Sequence, residues 1–331
     1  MSRNAAWVRP LTQVDYPQWD SLVEESPQGS IFSSSRYLAI LAEATGSRLK
    51  IIGCFLDEDL IGGCSLFERR NHIIGKYAVS KGPDTPFCGF IYKKTDEIKI
   101  RKKEMEYNVC LNALSEYIIK EKYASISISN SPNLVDIRPF LRQDWECTVA
   151  YTYYINLEQF SYEDFSSNTK EQIRQAINED LQFGNHFSID SHYQLLMEEF
   201  EQRNSPPPLN KLMLQKFFDI FQLTGSGEMK TVRDSSGELL ASYFWVWDNK
   251  RAYAWNAAHS PDIHDTGAKY LLMYRTFEEL QKRGLKEVNI MHANTPQSTG
   301  FATGFNPVLV PYYGVSRDSL ILTLLRHFKN G

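Results

Sequence analysis

The chain has no Cys-x-x-Cys pair, no uninterrupted apolar run of about 18 residues and no excess of positive charge, and each absence removes a class of function. Its five cysteines, Cys54, Cys64, Cys88, Cys110 and Cys147, are odd in number and confined to the first half, which excludes a disulfide framework and a cysteine-based zinc site. Cys54 and Cys64 are expected to meet across a hairpin as a reduced, buried pair. The opening Met1-Ser2-Arg3-Asn4-Ala5-Ala6-Trp7 lacks the apolar stretch of a signal peptide, so the expectation is a cytoplasmic protein without a membrane partner. A net charge of -4 argues against holding DNA or other nucleic acid on a generally basic surface. No Gly-x-Ser-x-Gly supports serine-hydrolase chemistry. The histidines His259, His264 and His292 with Asp262 and Asp265 match no familiar zinc spacing, so no metal is expected. What the chain does have, 331 residues with 42% apolar and 23% charged, suffices for two ordinary cores.

One pattern occurs twice. In the second half, the turn Asp234-Ser235-Ser236-Gly237 separates a strand at Met229–Arg233 from one at Leu239–Trp247. A strand at Arg251–Ala258, a polar loop ending at Gly267, a helix to about Arg283 and a strand at Glu287–Met291 follow. The first half repeats the order: Lys50–Leu56, the turn Asp57-Glu58-Asp59, Leu60–Glu68, Tyr77–Lys81, a long loop, a helix near Arg101–Lys122, and Ala124–Ser129. Around these units, helices are expected at Val14–Val23, from the Ser33-Ser34-Ser35 cap to Gly46, from Ser167 to Gly184, at His192–Gln202 and at Leu209–Leu223. The stretch Trp145–Leu157 has a strand's composition.

Several residues in the second unit have chemical potential. Alternation places Tyr243, Trp245 and Trp247 on one face of a strand. Aromatics so placed form core or, with Trp255 on the next strand, the wall of a pocket. Asn256 and His259 add polar groups where that strand ends. The run Asp265-Thr266-Gly267-Ala268-Lys269 opens the long helix, and its backbone N–H groups either bind phosphate or are capped by Asp265 or Thr266. Lys170 and Arg174, one helical turn apart, either hold an anion or form a solvated face.

The order hairpin, aromatic strand, loop, glycine-led helix and strand resembles the GNAT acyltransferase fold, and its duplication resembles the FemAB-type branch. Further stretches share the likeness: Gly29-Ser30-Ile31-Phe32-Ser33-Ser34-Ser35-Arg36-Tyr37-Leu38, Leu60-Ile61-Gly62-Gly63-Cys64-Ser65-Leu66-Phe67, Thr169-Lys170-Glu171-Gln172-Ile173-Arg174-Gln175-Ala176 and Thr303-Gly304-Phe305-Asn306-Pro307. The resemblance implies an α/β (α+β) chain of tandem GNAT-like domains, each a mixed central sheet flanked by helices, over 1–150 and 151–331, with the working site in the second. It implies direct attack of an amine on an activated acyl carbonyl, with acyl-CoA as donor and no metal. The acceptor is then a small-molecule, amino-sugar or peptide amine. Under it, Trp245, Val246 and Trp247 supply backbone donors, with Asp265, Thr266, Gly267, Ala268 and Lys269 at the coenzyme. His259 is the base, oriented by Asp262 or Asp265, and Tyr312 or Tyr313 protonates the thiolate. Tyr243, Trp255, Asn256, Lys170, Arg174 and Asn294 are expected around the acceptor. Of the family's Arg/Gln-x-x-Gly-x-Gly/Ala loop this chain keeps only the small residues at its end, and no lysine stands in Phe301-Ala302-Thr303-Gly304-Phe305. Two alternatives stay open: an aminoacyl-tRNA donor, as in FemAB proteins acting on cell-wall precursors, and a binding protein that has lost catalysis. The absence of FemAB's inserted helical hairpin and of a basic surface favours the thioester.

Overall fold

The computed structural model describes residues 6–73, 75–95, 99–185, 188–260, 266–291, 293, 294, 296–319, 322 and 323. In chain order these form β1 (Trp7–Pro10), α1 (Tyr16–Glu25), α2 (Ser35–Thr45), β2 (Arg48–Leu56), β3 (Asp59–Asn71), β4 (Gly75–Val79), β5 (Phe90–Tyr92), α3 (Ile100–Lys120), β6 (Ser125–Ser129), α4 (Arg138–Leu141) and β7 (Glu146–Asn156). There follow α5 (Ser167–Asn178), β8 (Gln182–Gly184), α6 (Ile189–Gln202), α7 (Lys211–Leu223), β9 (Gly227–Arg233), β10 (Leu239–Trp247), β11 (Ala252–His259), α8 (Ala268–Lys282), β12 (Glu287–Asn289), α9 (Pro296–Thr303) and β13 (Val308–Asp318). The chain divides into two compact units, one running to Ala150 and resuming at Pro311, the other Tyr151–Val310. The second domain expected over 151–331 thus yields its end to the first unit, because Gly314–Asp318 of β13 pair antiparallel with β6 there.

Each unit has a mixed sheet flanked by helices. In the first, β1, β2, β3 and β4 are antiparallel in sequence order, β6 lies parallel to β4, and β5 adds to β3. In the second, β8 to β11 are antiparallel in order, β12 lies parallel to β11, and β7 pairs with β12. A parallel neighbour requires a crossover connection, which α3 and α8 supply.

Local chemistry sets the boundaries. Ser34 caps α2 by accepting from the Tyr37 amide, and Gly46 ends it in the left-handed conformation at φ +60°. The helix expected from Ser167 to Gly184 ends early, at Asn178. Asp180 takes φ +54° and the Leu181 amide returns to the Ala176 carbonyl, so an aspartate performs the stop that the sequence reading assigned to Gly184. Residues 182–184 then form β8, the edge strand beside β9. In the first hairpin, Cys54 registers with Gly62 and Cys64 with Ile52. The two cysteines therefore do not face each other, and both are free and buried.

Two cores flank the second sheet. On one face Tyr243 and Trp245 pack with Ile173 of α5 and with Leu271, Leu272 and Phe277 of α8. On the other, Phe244 and Trp255 meet Phe217 and Phe221 of α7 at ring separations of 5.1 to 5.8 Å.

Candidate functional site at the end of the central strand

The two parallel strand pairs behave differently at their ends. In the first unit, β4 registers with β6 up to Val79 and Ser127, and the pairing is continued beyond. The Ser80 amide reaches the Ser127 carbonyl (3.0 Å), Ser80 Oγ accepts from the Ser129 amide (2.9 Å), and the Cys88 amide reaches the Ser129 carbonyl (3.1 Å). In the second unit, β11 and β12 register at Ala252 with Val288 and at Tyr253 with Asn289. Strand β11 then runs on to His259, whereas the chain after β12 turns away: the Ile290 amide donates to Tyr153 of β7 and the Met291 amide to Asn289 Oδ1. Among the described residues the parallel pair is stitched shut in the first unit and splayed in the second.

A β-bulge shapes the splayed strand. Phe244 registers with Asn256 and Trp245 with Ala254, which leaves Trp255 as the extra residue. Trp255 and Asn256 therefore both project to the α6 and α7 side, while Ala254 and Ala257 keep to the α8 side. Trp255, expected on a pocket wall, is 2% exposed and enclosed by phenylalanines. Asn256 is 5% exposed, and its Oδ1 lies 2.7 Å from Nε2 of His192, whose Nδ1 lies 2.9 Å from Ser242 Oγ. With both ring nitrogens bonded and no exposure, His192 is a buried neutral imidazole; burial pulls its pKa down to about 4, the Asn256 bond opposing. Sequence reading missed this residue, since a histidine in an apolar helix stripe carries no signal until its partners on two other strands are known.

At the open end of β11, His259 stacks on Tyr243 (centroids 6.3 Å, 17° between planes). Its Nδ1 lies 3.7 Å from Oε2 of Glu199 on α6, and Glu199 also pairs with Arg203 one turn on. Burial holds Lys269, in the first turn of α8, below its usual pKa, with Glu199 opposing; burial raises Tyr243, with Glu199 adding to the rise. One carboxylate thus faces an imidazole, an ammonium and a phenol. The orienting partners Asp262 and Asp265 lie outside the described residues, as do His264 and His292; the carboxylate the structure supplies is Glu199, from a helix some sixty residues earlier in the chain.

Gly267 is the N-cap of α8 at φ +69°, and Thr266 Oγ1 accepts weakly from the Ala268 amide (3.4 Å). A β-carbon on Gly267 would stand 2.0 Å from the Gln172 carbonyl oxygen, so the glycine serves the close approach of α5 as well as the turn. Lys269 is a cation in the turn where the helix dipole disfavours one.

Other expected residues are engaged elsewhere. Trp245, Val246 and Trp247 lie on an interior strand, registered with both β9 and β11, and the Trp247 amide reaches the Ser226 carbonyl. Their amides belong to the ladder, and the strand edge that opens is that of β11. Lys170 donates to the Glu163 carbonyl and carboxylate, and Arg174 forms an exposed pair with Glu171. Accordingly Arg174→Ala should change stability by no more than about 0.5 kcal/mol, measured by urea denaturation. The Asn294 amide exchanges two hydrogen bonds with the Tyr151 backbone (2.9 and 2.8 Å) and so acts as a strand extension. Tyr312 and Tyr313 lie in the first unit: Tyr312 packs edge-on against Phe87, and the Tyr313 carbonyl accepts from Asn130. Among the described residues there is no cluster of three metal-binding side chains and no helix long and apolar enough to cross a membrane.

Residues 167–296 match the family model described as the acetyltransferase (GNAT) domain. The fold is that of tandem GNAT-like structures. The solved structure of FemX is similar over 92% of this chain and 96% of its own, with a TM-score of 0.71 at 10% identity. The C-terminal domain of a putative lysylphosphatidylglycerol synthetase from Agrobacterium fabrum aligns over 94% and 95% (TM-score 0.61, 11% identity). A tandem GNAT protein from the clavulanic acid biosynthesis pathway aligns over 94% and 98% (TM-score 0.56, 8% identity). No curated protein matches the sequence. The splayed pair β11 and β12 falls inside the segment that matches the GNAT domain.

Proposed function

We propose that this chain transfers an acyl group from acyl-CoA to the amine of a small molecule, amino sugar or peptide, at the open end of β11. The observation that carries the reading is the splay of β11 from β12, which ends at His259 beside Glu199, a carboxylate whose charge also acts on Lys269. In an antiparallel pair, amides alternate in direction, and the Ser260 amide points to β10. The Ala257 amide therefore points the other way, towards the opening, where it donates to the developing oxyanion of the thioester carbonyl. Lys269, with the amides at the start of α8, meets the coenzyme's phosphates, and this use explains a half-buried cation against the helix dipole. Neutral His259 takes the proton of the acceptor ammonium, and Glu199 stabilises the imidazolium so formed. The amine nitrogen then bonds to the acyl carbon, the C–S bond breaks, and the departing thiolate takes the second proton that the new amide nitrogen releases.

Titration calorimetry with acetyl-CoA and longer thioesters tests the donor. Lys269→Ala is expected to weaken binding about tenfold. His259→Ala should leave binding within about twofold while transfer to a panel of amines falls about 100-fold or more. A folded native protein that binds none of the thioesters would remove the reading. The second reading, an aminoacyl-tRNA donor, is favoured by the full-length likeness to FemX and to the lysylphosphatidylglycerol synthetase domain. Label transfer from charged tRNA that ribonuclease abolishes would establish it instead.

A further inference from the structure

We infer that His192 is a positioning residue, which fixes helix α6 on the sheet so that Glu199 meets His259. The inference rests on the proposed pairing of those two residues and extends it to a side chain that touches neither substrate nor base. His192 and Glu199 are seven residues apart, which returns both to one face of α6, with Leu195 and Leu196 buried between them. Seven helical residues span about 10 Å, as do three strand residues. The rise from His192 to Glu199 therefore matches that from Asn256 to His259, whose side chains leave opposite faces of β11, and each end of the match is marked by a polar contact, 2.7 Å at Asn256 and 3.7 Å at His259.

Apolar contacts alone do not determine where along β11 the helix sits, because leucines slide with little directional penalty. Hydrogen bonds at both ring nitrogens do. With Nε2–H donating to the Asn256 carbonyl oxygen, Nδ1 is left to accept from the Ser242 hydroxyl, so His192 is held against β10 and β11 at once. A shift of α6 by one residue, about 1.5 Å, would break both bonds and take from the buried His192 ring both of these partners. Around His259 the charged and titratable groups on the packed elements are Glu199 with Arg203 on α6, Tyr243 on β10, and Lys269 and Tyr270 on α8. Among the described residues, Glu199 is the carboxylate that lowers the energy of a protonated His259.

The test reads His259 directly, in the full chain without substrate, by histidine-labelled heteronuclear NMR across a pH series, with the His259 signal identified by its loss in His259→Asn. Glu199→Gln is expected to move the pH midpoint of His259 down by about 1, a tenfold change in its proton affinity. His192→Leu should move it in the same direction by at least half as much, and add nothing on the Glu199→Gln background. His192→Gln, whose amide offers one donor and one acceptor in place of the two ring nitrogens, should bring the midpoint back toward the native value. Where His192→Leu does not fold, Ser242→Ala, which deletes a single hydroxyl, takes its place. A folded His192→Leu or Ser242→Ala protein that has lost thermal stability but keeps the native His259 midpoint overturns the inference. An unchanged midpoint in Glu199→Gln overturns it at an earlier step, by showing that Glu199 and His259 are not paired, and with it the proposed base.

Discussion

Gly267→Ala is expected to destabilise the second unit by about 3 kcal/mol or more, and to do so with no ligand present. Two costs combine. The residue holds φ +69°, where a β-carbon costs roughly 1–2 kcal/mol. The added atom would also stand 2.0 Å from the Gln172 carbonyl oxygen and 3.3 Å from Ala176 Cβ, so α5 and α8 must separate. Gly225 provides the control, with φ +64° and nothing within 4 Å of its would-be β-carbon. Gly225→Ala should therefore show the backbone cost alone, roughly 1–2 kcal/mol. Thermal and urea denaturation of the two variants separates the terms, and equal losses would mean that the contact with α5 does not bear on stability. Either way, a loss of coenzyme affinity in Gly267→Ala says nothing about phosphate binding unless the fold survives.

Acidification should weaken the protein through His192, by about 3 kcal/mol between pH 6.5 and pH 4. The imidazole is held near pKa 4 in the folded chain and has a model value of 6.5. In that interval the unfolded chain binds a proton that the folded one refuses, so stability rises with pH; the contribution is complete above pH 6.5 and is lost as pH falls toward 4. Glu121, whose carboxylate is held at about 2 by Lys50 and Lys76 against its own burial, loses its contribution below its ordinary value of 4.5. The two windows barely overlap. Urea midpoints at pH 7, 5.5 and 4.5 should fall in the native protein, and fall distinctly less in His192→Gln, which keeps a donor and an acceptor but cannot titrate in this range. Parallel slopes for the two proteins would assign the acid sensitivity to another group.

The doubled pattern was readable because it is local. Strand β10 falls at Leu239–Trp247 as its alternation predicts, and α8 begins one residue after Gly267, where the glycine places it. The GNAT-like order of elements follows from such periodicities taken in sequence. The errors have equally local causes. Helix α5 stops at Asn178 because Asp180 accepts a left-handed conformation that the reading reserved for glycine. Trp255 and Asn256 were placed by strict alternation, which the bulge beside Phe244 breaks.

The candidate site was legible only in part. His259 and Lys269 carry signals in the sequence, as polar residues at a strand end and a helix start. Glu199 and His192 do not, since both belong to an unremarkable amphipathic helix, and their meaning comes from Asn256, Ser242 and His259 on strands that follow much later.

The sequence by itself determined the elements, their order, their repetition and the polar groups at the end of the second aromatic strand, because hydrophobic period, caps and turn residues act over a few neighbours. Only the tertiary structure decided that β4 is stitched to β6 while β11 parts from β12, and that the carboxylate at His259 comes from α6. Those outcomes depend on hydrogen bonds and burial between segments far apart in the chain, and no local pattern encodes which partner a buried polar group will find.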